Sequence, residues 1–275
     1  MVCQTCEAEL RVVSITSDGD LDKTELRKLV DERTKLVAIT HISNTLGTVN
    51  DLDEIIGIAH QVNAPVMIDA AQSAALYSLD VQALDCDFLT FSAHKAFGPF
   101  GIGILYAKPE HTKHIHPYNF GGGIVKMVSV GNTDFMPFPT CLEAGTPNIS
   151  GAIGMAAGID FIKTLDLEEL RKHIHQLTSE CRSALSAIDD VSVIGDPESY
   201  TGIVSFMVDD IHPHDVASFL NEDNIAVRAG MHCTQPLLSS LDVPATVRAS
   251  FSIYNTMEDV DQLVVSVKEL IKFWK

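Results

Sequence analysis

The sequence predicts an α/β protein in which a large three-layer αβα domain, residues 1–163, precedes a smaller α+β domain, residues 164–275. Strand and helix patterns alternate over the first half of the chain, which is typical of helices packed on both faces of a sheet. Several apolar runs there are short and bounded by Pro, Asp or Gly, as expected of strands buried on both faces. Near residue 148 two consecutive helical patterns break the alternation, and this change predicts the second domain.

The elements of the large domain follow from hydrophobic periodicity and from residues that begin helices. Asp51 is the expected N-cap of one helix, because an aspartate side chain accepts hydrogen bonds from the first free helical amides. In chain order the pattern predicts strands at 10–15, 35–40, 66–68, 88–91 and 102–106, and helices at 21–32 and 51–62.

The elements after residue 148 follow from the same reasoning. Thr256 and Asp259 have the spacing of a capping box, and apolar positions at helical intervals continue from there to Trp274. The pattern predicts helices at 149–163, 167–188 and 213–221, a last helix after Thr256, and strands at 202–208, 225–227 and 247–253.

Composition excludes some classes of partner. The 275 residues include 19 Lys and Arg against 37 Asp and Glu, a formal net charge of −18. Such a balance argues against binding to nucleic acid, which needs a basic patch, and against an anionic membrane surface. No apolar run reaches the roughly 18 residues of a membrane span.

The cysteines and the first residues indicate a reducing compartment. Six cysteines are scattered along the chain, as is usual for free thiols in a cytoplasm. Cys3 and Cys6 form a C-x-x-C, but no second Cys or His pair follows at zinc-ligand spacing, so no metal site is expected. The first ten residues lack the basic and apolar stretches of a secretory signal. We therefore expect a cytoplasmic protein.

A lysine stands in a specific local context. Ser92, His94 and Lys95 follow the end of the 88–91 strand and precede a glycine-rich turn. A hydroxyl and an imidazole can both donate hydrogen bonds to a phosphate, and a lysine amine can form a Schiff base with a carbonyl. A lone lysine is usually a solvated surface charge, but the combination favours a functional site.

Asp69 ends the apolar run of the preceding strand, 66–68, and Gln72 follows three residues later. Ligands of open α/β sheets bind beyond the carboxyl ends of the strands. If Asp69 is buried there, it needs a cationic partner, and a protonated pyridine nitrogen would serve. An ordinary turn after a strand is the alternative interpretation.

Cys233 is the candidate nucleophile, because it lies in an expected loop near Arg228 and His232, which favours a reactive thiolate. Cys86 has two acidic neighbours that disfavour a thiolate, and Cys181 falls within a predicted helix. Lysine, aspartate and cysteine together describe a site for pyridoxal 5′-phosphate (PLP) with a second nucleophile.

Four more residues are candidates for anion binding. Arg228 and Arg248 each stand in or beside an apolar strand pattern and need an anionic partner, which is either a substrate carboxylate or a buried salt bridge. Asn44 follows a strand end and could share that carboxylate. Thr146, just before a helix start, either contacts phosphate or caps the helix.

These residues and their motifs resemble those of the cysteine desulfurases, which are PLP enzymes of aminotransferase fold type I. The chain is most similar to the SufS-type branch, which includes selenocysteine lyases. The resemblance rests on THISNTLGT (40–48), IDAAQ (68–72), DVQALDCDF (80–88), FSAHK (91–95), EAGTPN (143–148) and RAGMHC (228–233).

The resemblance implies a role for each position. Lys95, Cys233 and His94 would be catalytic, with Lys95 holding PLP covalently and Cys233 taking the substrate sulfur. The other residues implied to bind PLP are Asp69 at the pyridine nitrogen, Gln72 at the phenolic oxygen, Ser92 at the phosphate with His94, and Thr146 at the phosphate of the other subunit of a homodimer. Asn44 and Arg248 would bind the substrate carboxylate, with Arg228 near Cys233.

The implied reaction converts L-cysteine to L-alanine and leaves a persulfide for an acceptor protein of SufE or SufU type in iron–sulfur cluster assembly. Two departures from the family leave alternatives open. Met231 stands where the family usually has a histidine, and the chain lacks an N-terminal portion that the family carries. Selenocysteine lysis, cysteine sulfinate desulfination and an inactive truncated homologue are the alternatives.

Overall fold

The computed structural model describes residues 2–113 and 115–275. In these ranges the α-helices are α1 (Val2–Thr5), α2 (Lys23–Leu29), α3 (Leu52–His60), α4 (Val81–Leu84), α5 (Pro109–Thr112), α6 (Ile149–Lys163), α7 (Leu167–Ser186), α8 (Pro213–Glu222), α9 (Gln235–Ser240) and α10 (Met257–Trp274). The strands are β1 (Val37–Thr40), β2 (Val66–Asp69), β3 (Phe88–Ser92), β4 (Gly103–Ala107), β5 (Val125–Ser129), β6 (Asn132–Phe135), β7 (Val191–Val193), β8 (Ile203–Val208), β9 (Arg228–Gly230) and β10 (Thr246–Ser250). Short 3₁₀ helices span Ala93–Lys95 and Thr140–Leu142.

The chain divides into two compact units. Unit 1 comprises Met1–Arg33, His41–Asp51 and Asp166–Lys275, and unit 2 comprises Thr34–Thr40 and Leu52–Leu165. The short segment His41–Asp51 thus belongs with residues far along the chain. The division into a large domain, residues 1–163, and a small domain, residues 164–275, stays a prediction.

Unit 2 is built on a four-stranded sheet in the order β1-β2-β3-β4. The first three strands are parallel and β4 is antiparallel to β3. Apolar side chains of α3 and of the strands, including Ile56, Val66, Ile68 and Leu89, form its core. Parallel strands bring their carboxyl ends to one edge of the sheet, where ligands of such sheets bind.

The last strand of this sheet differs from the prediction. The predicted strand 102–106 was one of three expected to be buried on both faces, but the side chains of Ile104 and Leu105 in β4 are 41% and 44% exposed. Neighbouring side chains along a strand point to opposite faces, so both faces of β4 reach solvent. The expectation is wrong for β4 because it is an edge strand, with a neighbour on one side only among the described residues.

Unit 1 contains a four-stranded antiparallel sheet in the order β7-β8-β10-β9. Helices α7, α8 and α10 contribute their apolar faces to a core that includes the fully buried Phe206 of β8. Sheet and helices together form the predicted α+β arrangement. No helix in the ranges that the structure describes is both long and apolar enough to cross a membrane.

The longer, strongly patterned elements are confirmed. Helix α6 spans the predicted 149–163, and α10 begins at the predicted capping box, in which the side chains of Thr256 and Asp259 each bond the other's backbone amide. Most remaining elements agree with the prediction to within a few residues at their ends.

Two predicted strands are wrong. Residues 10–15 form no strand: Leu10 and Val12 are exposed, and only an isolated bridge joins Ile15 to Leu21, because no strand of the described ranges lies beside them. The strand expected at 225–227 lies instead at β9, where Arg228–Gly230 pairs with β10. The exposed β5–β6 hairpin was not anticipated, since it has no buried face to create a pattern.

Candidate active site

In unit 2, the predicted cofactor residues cluster at the ends of two adjacent strands. Asp69 is the last residue of β2 and Ser92 the last of β3, and the two strands are parallel, with Asp69 opposite Thr90. His94 and Lys95 follow at once in the 3₁₀ turn. The sheet therefore brings the carboxylate, hydroxyl, imidazole and amine to its carboxyl edge, as the sequence predicts.

Asp69 is exposed, so the burial that would demand a cationic partner is not observed. At the end of β2 its carboxylate reaches solvent and needs no cation from the protein. Asp69 Oδ1 accepts a hydrogen bond from the Ala71 amide at 2.9 Å, which fixes the side chain. Gln72 is half-buried in the turn that follows.

Lys95 is exposed, and no described carboxylate lies within ion-pair distance of its amine. The His94 ring stacks on Phe100, with centroids 5.3 Å apart. Gly158 of α6 supports the turn from behind, since a Cβ there would stand 2.9 Å from the Ala96 carbonyl oxygen. A side chain at position 158 would push the helix away from the residue that follows Lys95.

Thr146 does not cap α6. The N-cap is Asn148, whose Oδ1 accepts a hydrogen bond from the Gly151 amide at 2.9 Å. The exposed Thr146 hydroxyl precedes this cap. Of the two interpretations of Thr146, capping is therefore wrong, and the phosphate contact stays a prediction.

In unit 1, Cys233 lies on a tight turn between β9 and α9. The Thr234 amide donates to the Met231 carbonyl at 2.9 Å, and the two central residues, His232 and Cys233, have φ angles of 52° and 62°. Two positive φ values are the signature of a type I′ turn, which favours Gly, Asn and Asp. For other residues each such conformation costs roughly 1–2 kcal/mol, so the turn is strained.

Two guanidinium groups lie close to this turn. Arg228 of β9 and Arg248 of β10 are directly opposite in the antiparallel register. Arg228 Nη2 is 3.8 Å from the sulfur of Cys233, which is exposed. Burial and the charge of Arg228 lower the pKa of Arg248.

Neither arginine forms a salt bridge with a carboxylate of the described residues, so the salt-bridge interpretation is wrong. Arg248 Nη1 donates to the Asn44 carbonyl at 2.7 Å, and its buried Nε meets no acceptor in the described part of the chain. Like charges facing each other are unfavourable, and a buried donor without an acceptor is costly. The pair therefore has the features of an anion site.

Asn44 binds the cysteine turn as well as Arg248. Its side-chain amide donates to the His232 carbonyl at 2.7 Å. The His232 ring is buried, with Nε2 2.8 Å from Thr246 Oγ1, and burial together with the charge of Arg248 lowers its pKa to about 4. His232 is thus neutral at pH 7, and the sequence alone gave no indication of how closely Asn44 and Thr246 hold it.

The other cysteines differ from Cys233 in environment. Burial, followed by the charge of Asp87, raises the pKa of Cys86, and burial raises the pKa of Cys181 to about 12. Both remain protonated thiols at neutral pH, which makes them poor nucleophiles. The assignment of Cys233 as the nucleophile stays a prediction.

One cluster in unit 2 has the composition of a metal site. Ligand atoms of Asp87, Glu110 and His111 lie within 4.8 Å of one another. Asp87 is already bound by His60, by His111, by the Lys108 amine and by the Val66 amide. With a lysine cation on the carboxylate, the cluster is an ion-pair network that ties the start of β3 to its neighbours.

The fold is shared by solved cysteine desulfurases. The apo structure of cysteine desulfurase from Thermococcus onnurineus superposes with a TM-score of 0.92 at 37% identity, over 98% of this chain and 68% of that one. The Escherichia coli desulfurase CsdA (S-sulfonic acid) gives 0.92 at 35% identity, over 99% of this chain and 68% of that one.

The family model for class-V aminotransferases matches residues 1–263, and the chain belongs to that family. It is 44% identical over 273 residues to a probable cysteine desulfurase of Halalkalibacterium halodurans, covering 99% of this chain and 67% of the relative. It is 42% identical over 271 residues to a cysteine desulfurase of an Enterobacter species, covering 98% and 66%. The chain thus spans about two thirds of the length of these relatives.

Proposed function

We propose that the protein is a PLP-dependent cysteine desulfurase, which converts L-cysteine to L-alanine and holds the released sulfur as a persulfide on Cys233. The observation that carries this proposal is the exposed Cys233 sulfur on a strained turn, 3.8 Å from the Arg228 guanidinium. A cation at this distance stabilises negative charge on sulfur, as a sulfur nucleophile requires. The 42–44% identity to proteins named as cysteine desulfurases supports the same activity.

The strand-end residues of unit 2 fit PLP. The Lys95 amine is exposed and has no described carboxylate partner. In the exposed Asp69 carboxylate, Oδ1 accepts a hydrogen bond from the Ala71 amide, and Oδ2 would bind the pyridine nitrogen. Ser92 and His94 would hold the phosphate, and Gln72 the phenolic oxygen. When bound, PLP supplies an electron sink for substrate carbon, and these residues hold and orient it.

Arg248 and Asn44 would orient the substrate. The buried Arg248 Nε lacks an acceptor, and a carboxylate offers two oxygens to such a guanidinium. Asn44 donates one amide hydrogen to His232 and keeps the other for substrate. Binding of the carboxylate also relieves the repulsion between the two facing arginines.

Sulfur transfer then follows at Cys233. Its thiolate attacks the substrate sulfur, an S–S bond forms, and the carbon–sulfur bond breaks. The transferred sulfur is oxidised to the persulfide level while the carbon takes the electron pair and a proton, which gives alanine. Arg228 stabilises negative charge on the sulfur throughout.

The same proposal extends to the assembly and its partners. We expect a homodimer in which Thr146 reaches the phosphate of the other subunit's PLP. A sulfur acceptor of SufE or SufU type would collect the persulfide for iron–sulfur cluster assembly in the cytoplasm. No nucleic acid or membrane takes part.

Alanine formation tests the activity. Purified 275-residue chain is supplied with PLP and L-cysteine, and alanine and protein persulfide are measured. Cys233→Ala should abolish persulfide at that position and reduce alanine to background, whereas Cys6→Ala, which removes another exposed cysteine, should match the parent. Full alanine formation by Cys233→Ala would remove Cys233 from the mechanism.

The cofactor is tested separately by colour. Protein with PLP should show the visible absorbance of lysine-bound cofactor, and Lys95→Ala should lose it, while Lys163→Ala, a solvent-exposed lysine, should keep it. Protein that stays colourless at saturating PLP would support an inactive homologue. Selenocysteine or cysteine sulfinate as substrate would be indicated by a higher kcat/KM that survives Cys233→Ala.

A further inference from the structure

We infer that Thr45 and Thr234 form a hydroxyl clamp that fixes the position of Cys233, and that both are positioning residues for sulfur transfer. Thr45 Oγ1 lies 2.6 Å from Thr234 Oγ1, although 189 residues separate them in the chain. The role of the clamp in catalysis rests on the proposed function, whereas the clamp itself forms with or without turnover.

The direction of the hydrogen bonds follows from the neighbours. Thr234 Oγ1 donates its hydrogen to the Met231 carbonyl at 3.1 Å, so its oxygen is left to accept from the Thr45 hydroxyl. Thr45 is fully buried, and water therefore cannot easily replace this contact. The clamp thus reaches both ends of the turn, Met231 and Thr234, with Cys233 between them.

Thr45 is itself fixed to the core of unit 1. Its carbonyl accepts a hydrogen bond from the Ser205 hydroxyl in the central strand β8. The preceding carbonyl, that of Asn44, accepts from Arg248 in β10. The clamp therefore joins the cysteine turn to the middle of the sheet and not to a mobile side chain.

The turn needs such contacts because it is strained. His232 and Cys233 both have positive φ angles, and neither is a residue that adopts them readily. Strained backbone persists only where the surroundings hold it. Asn44 and Thr246 hold His232 on one side of Cys233, and Thr45 holds Thr234 on the other.

Thr45→Val tests the clamp, because valine keeps the shape of threonine and removes the hydroxyl. Hydrogen exchange of a peptide covering residues 229–236 reports on the turn, since the Thr234 amide bonds Met231 within it. We expect the protected amide to exchange on the order of fivefold faster in Thr45→Val. Thr45→Ser, which restores a hydroxyl, should exchange as the parent does.

Thr48→Val is the matched control. Thr48 is also buried in the same segment, and its hydroxyl donates to the Gly19 carbonyl at 3.0 Å, away from the turn. Its exchange in 229–236 should equal that of the parent. Equal exchange of parent and Thr45→Val, or the same acceleration in Thr48→Val, would overturn the clamp.

Turnover supplies the second measurement. In the PLP-loaded chain, Thr45→Val should lower kcat on the order of fivefold and leave KM for cysteine within about twofold, because the clamp acts on the attacking sulfur. An unchanged kcat overturns the positioning role. If Thr45→Val does not fold, Thr234→Ala removes the half-buried partner with the same expectations. A parent that makes no alanine, with exchange altered as expected, refutes the desulfurase proposal and retains the clamp.

Discussion

Replacing Asp87 by Asn should lower the free energy of unfolding by about 2 kcal/mol at pH 7. Asp87 is 4% exposed and precedes β3, the strand that leads to Ser92 and Lys95. Burial alone would raise its pKa, but bonds from His60, the Val66 amide and His111, with the charge of Lys108, lower it to about 2.

The magnitude and its sign follow from that pKa. Asp87 has a pKa of about 2 in the folded chain against an ordinary value of 3.8, a gap of about 1.8. At 1.36 kcal/mol for each unit of pKa, the ionised carboxylate contributes roughly 2.4 kcal/mol. Because the folded pKa is the lower one, this contribution is complete well above pH 3.8 and is lost as the pH falls through about 2.

Urea unfolding at pH 7, followed by circular dichroism, measures the effect. Asp85→Asn is the control, since Asp85 also binds Lys108, but its side chain is 66% exposed. Surface ion pairs contribute at most about 1 kcal/mol, and asparagine suits the positive φ of position 85. Equal stability of Asp87→Asn and the parent, or equal losses for the two variants, would refute the role assigned to burial.

Three further results are expected. Phe206→Ala should cost about 3–5 kcal/mol in urea unfolding, and a loss no larger than that of the exposed Phe135→Ala would contradict the core assignment. Asn148→Ala should cost about 1 kcal/mol through the lost cap of α6, and unchanged stability would show that the cap is dispensable. Arg248→Met should raise KM for cysteine on the order of tenfold or more, so an unchanged KM in steady-state assays would exclude Arg248 from carboxylate binding.

The sequence predicted those parts of the fold in which one local pattern decides the structure. Helix α6 and the capping box at Thr256 depend on residues only a few positions apart. The strand expected at 10–15 had a plausible pattern, but a strand also needs a partner, which a local pattern does not reveal. The shift of β9 to Arg228–Gly230 has the same cause, because pairing with β10 sets its register.

The candidate site likewise has features that a local sequence pattern predicts and features that it does not. The positions of Lys95 and Asp69 at the strand ends could be predicted because the sequence marks those ends, and Cys233 was proposed from its neighbours. The contact between Thr45 and Thr234 could not be predicted, since two ordinary threonines far apart in sequence carry no shared signal. The left-handed backbone of Cys233 was equally hidden, because no glycine or asparagine marks that turn.

The edge of β4 that faces away from β3 affects the solubility of the purified chain. Among the described residues no strand lies on the side of β4 away from β3, and the side chains of Ile104 and Leu105 beside that edge are exposed. An edge of this kind is a template onto which another extended chain can add. The purified 275-residue chain should therefore associate edge to edge at high concentration, and a charged substitution such as Leu105→Lys should raise its solubility.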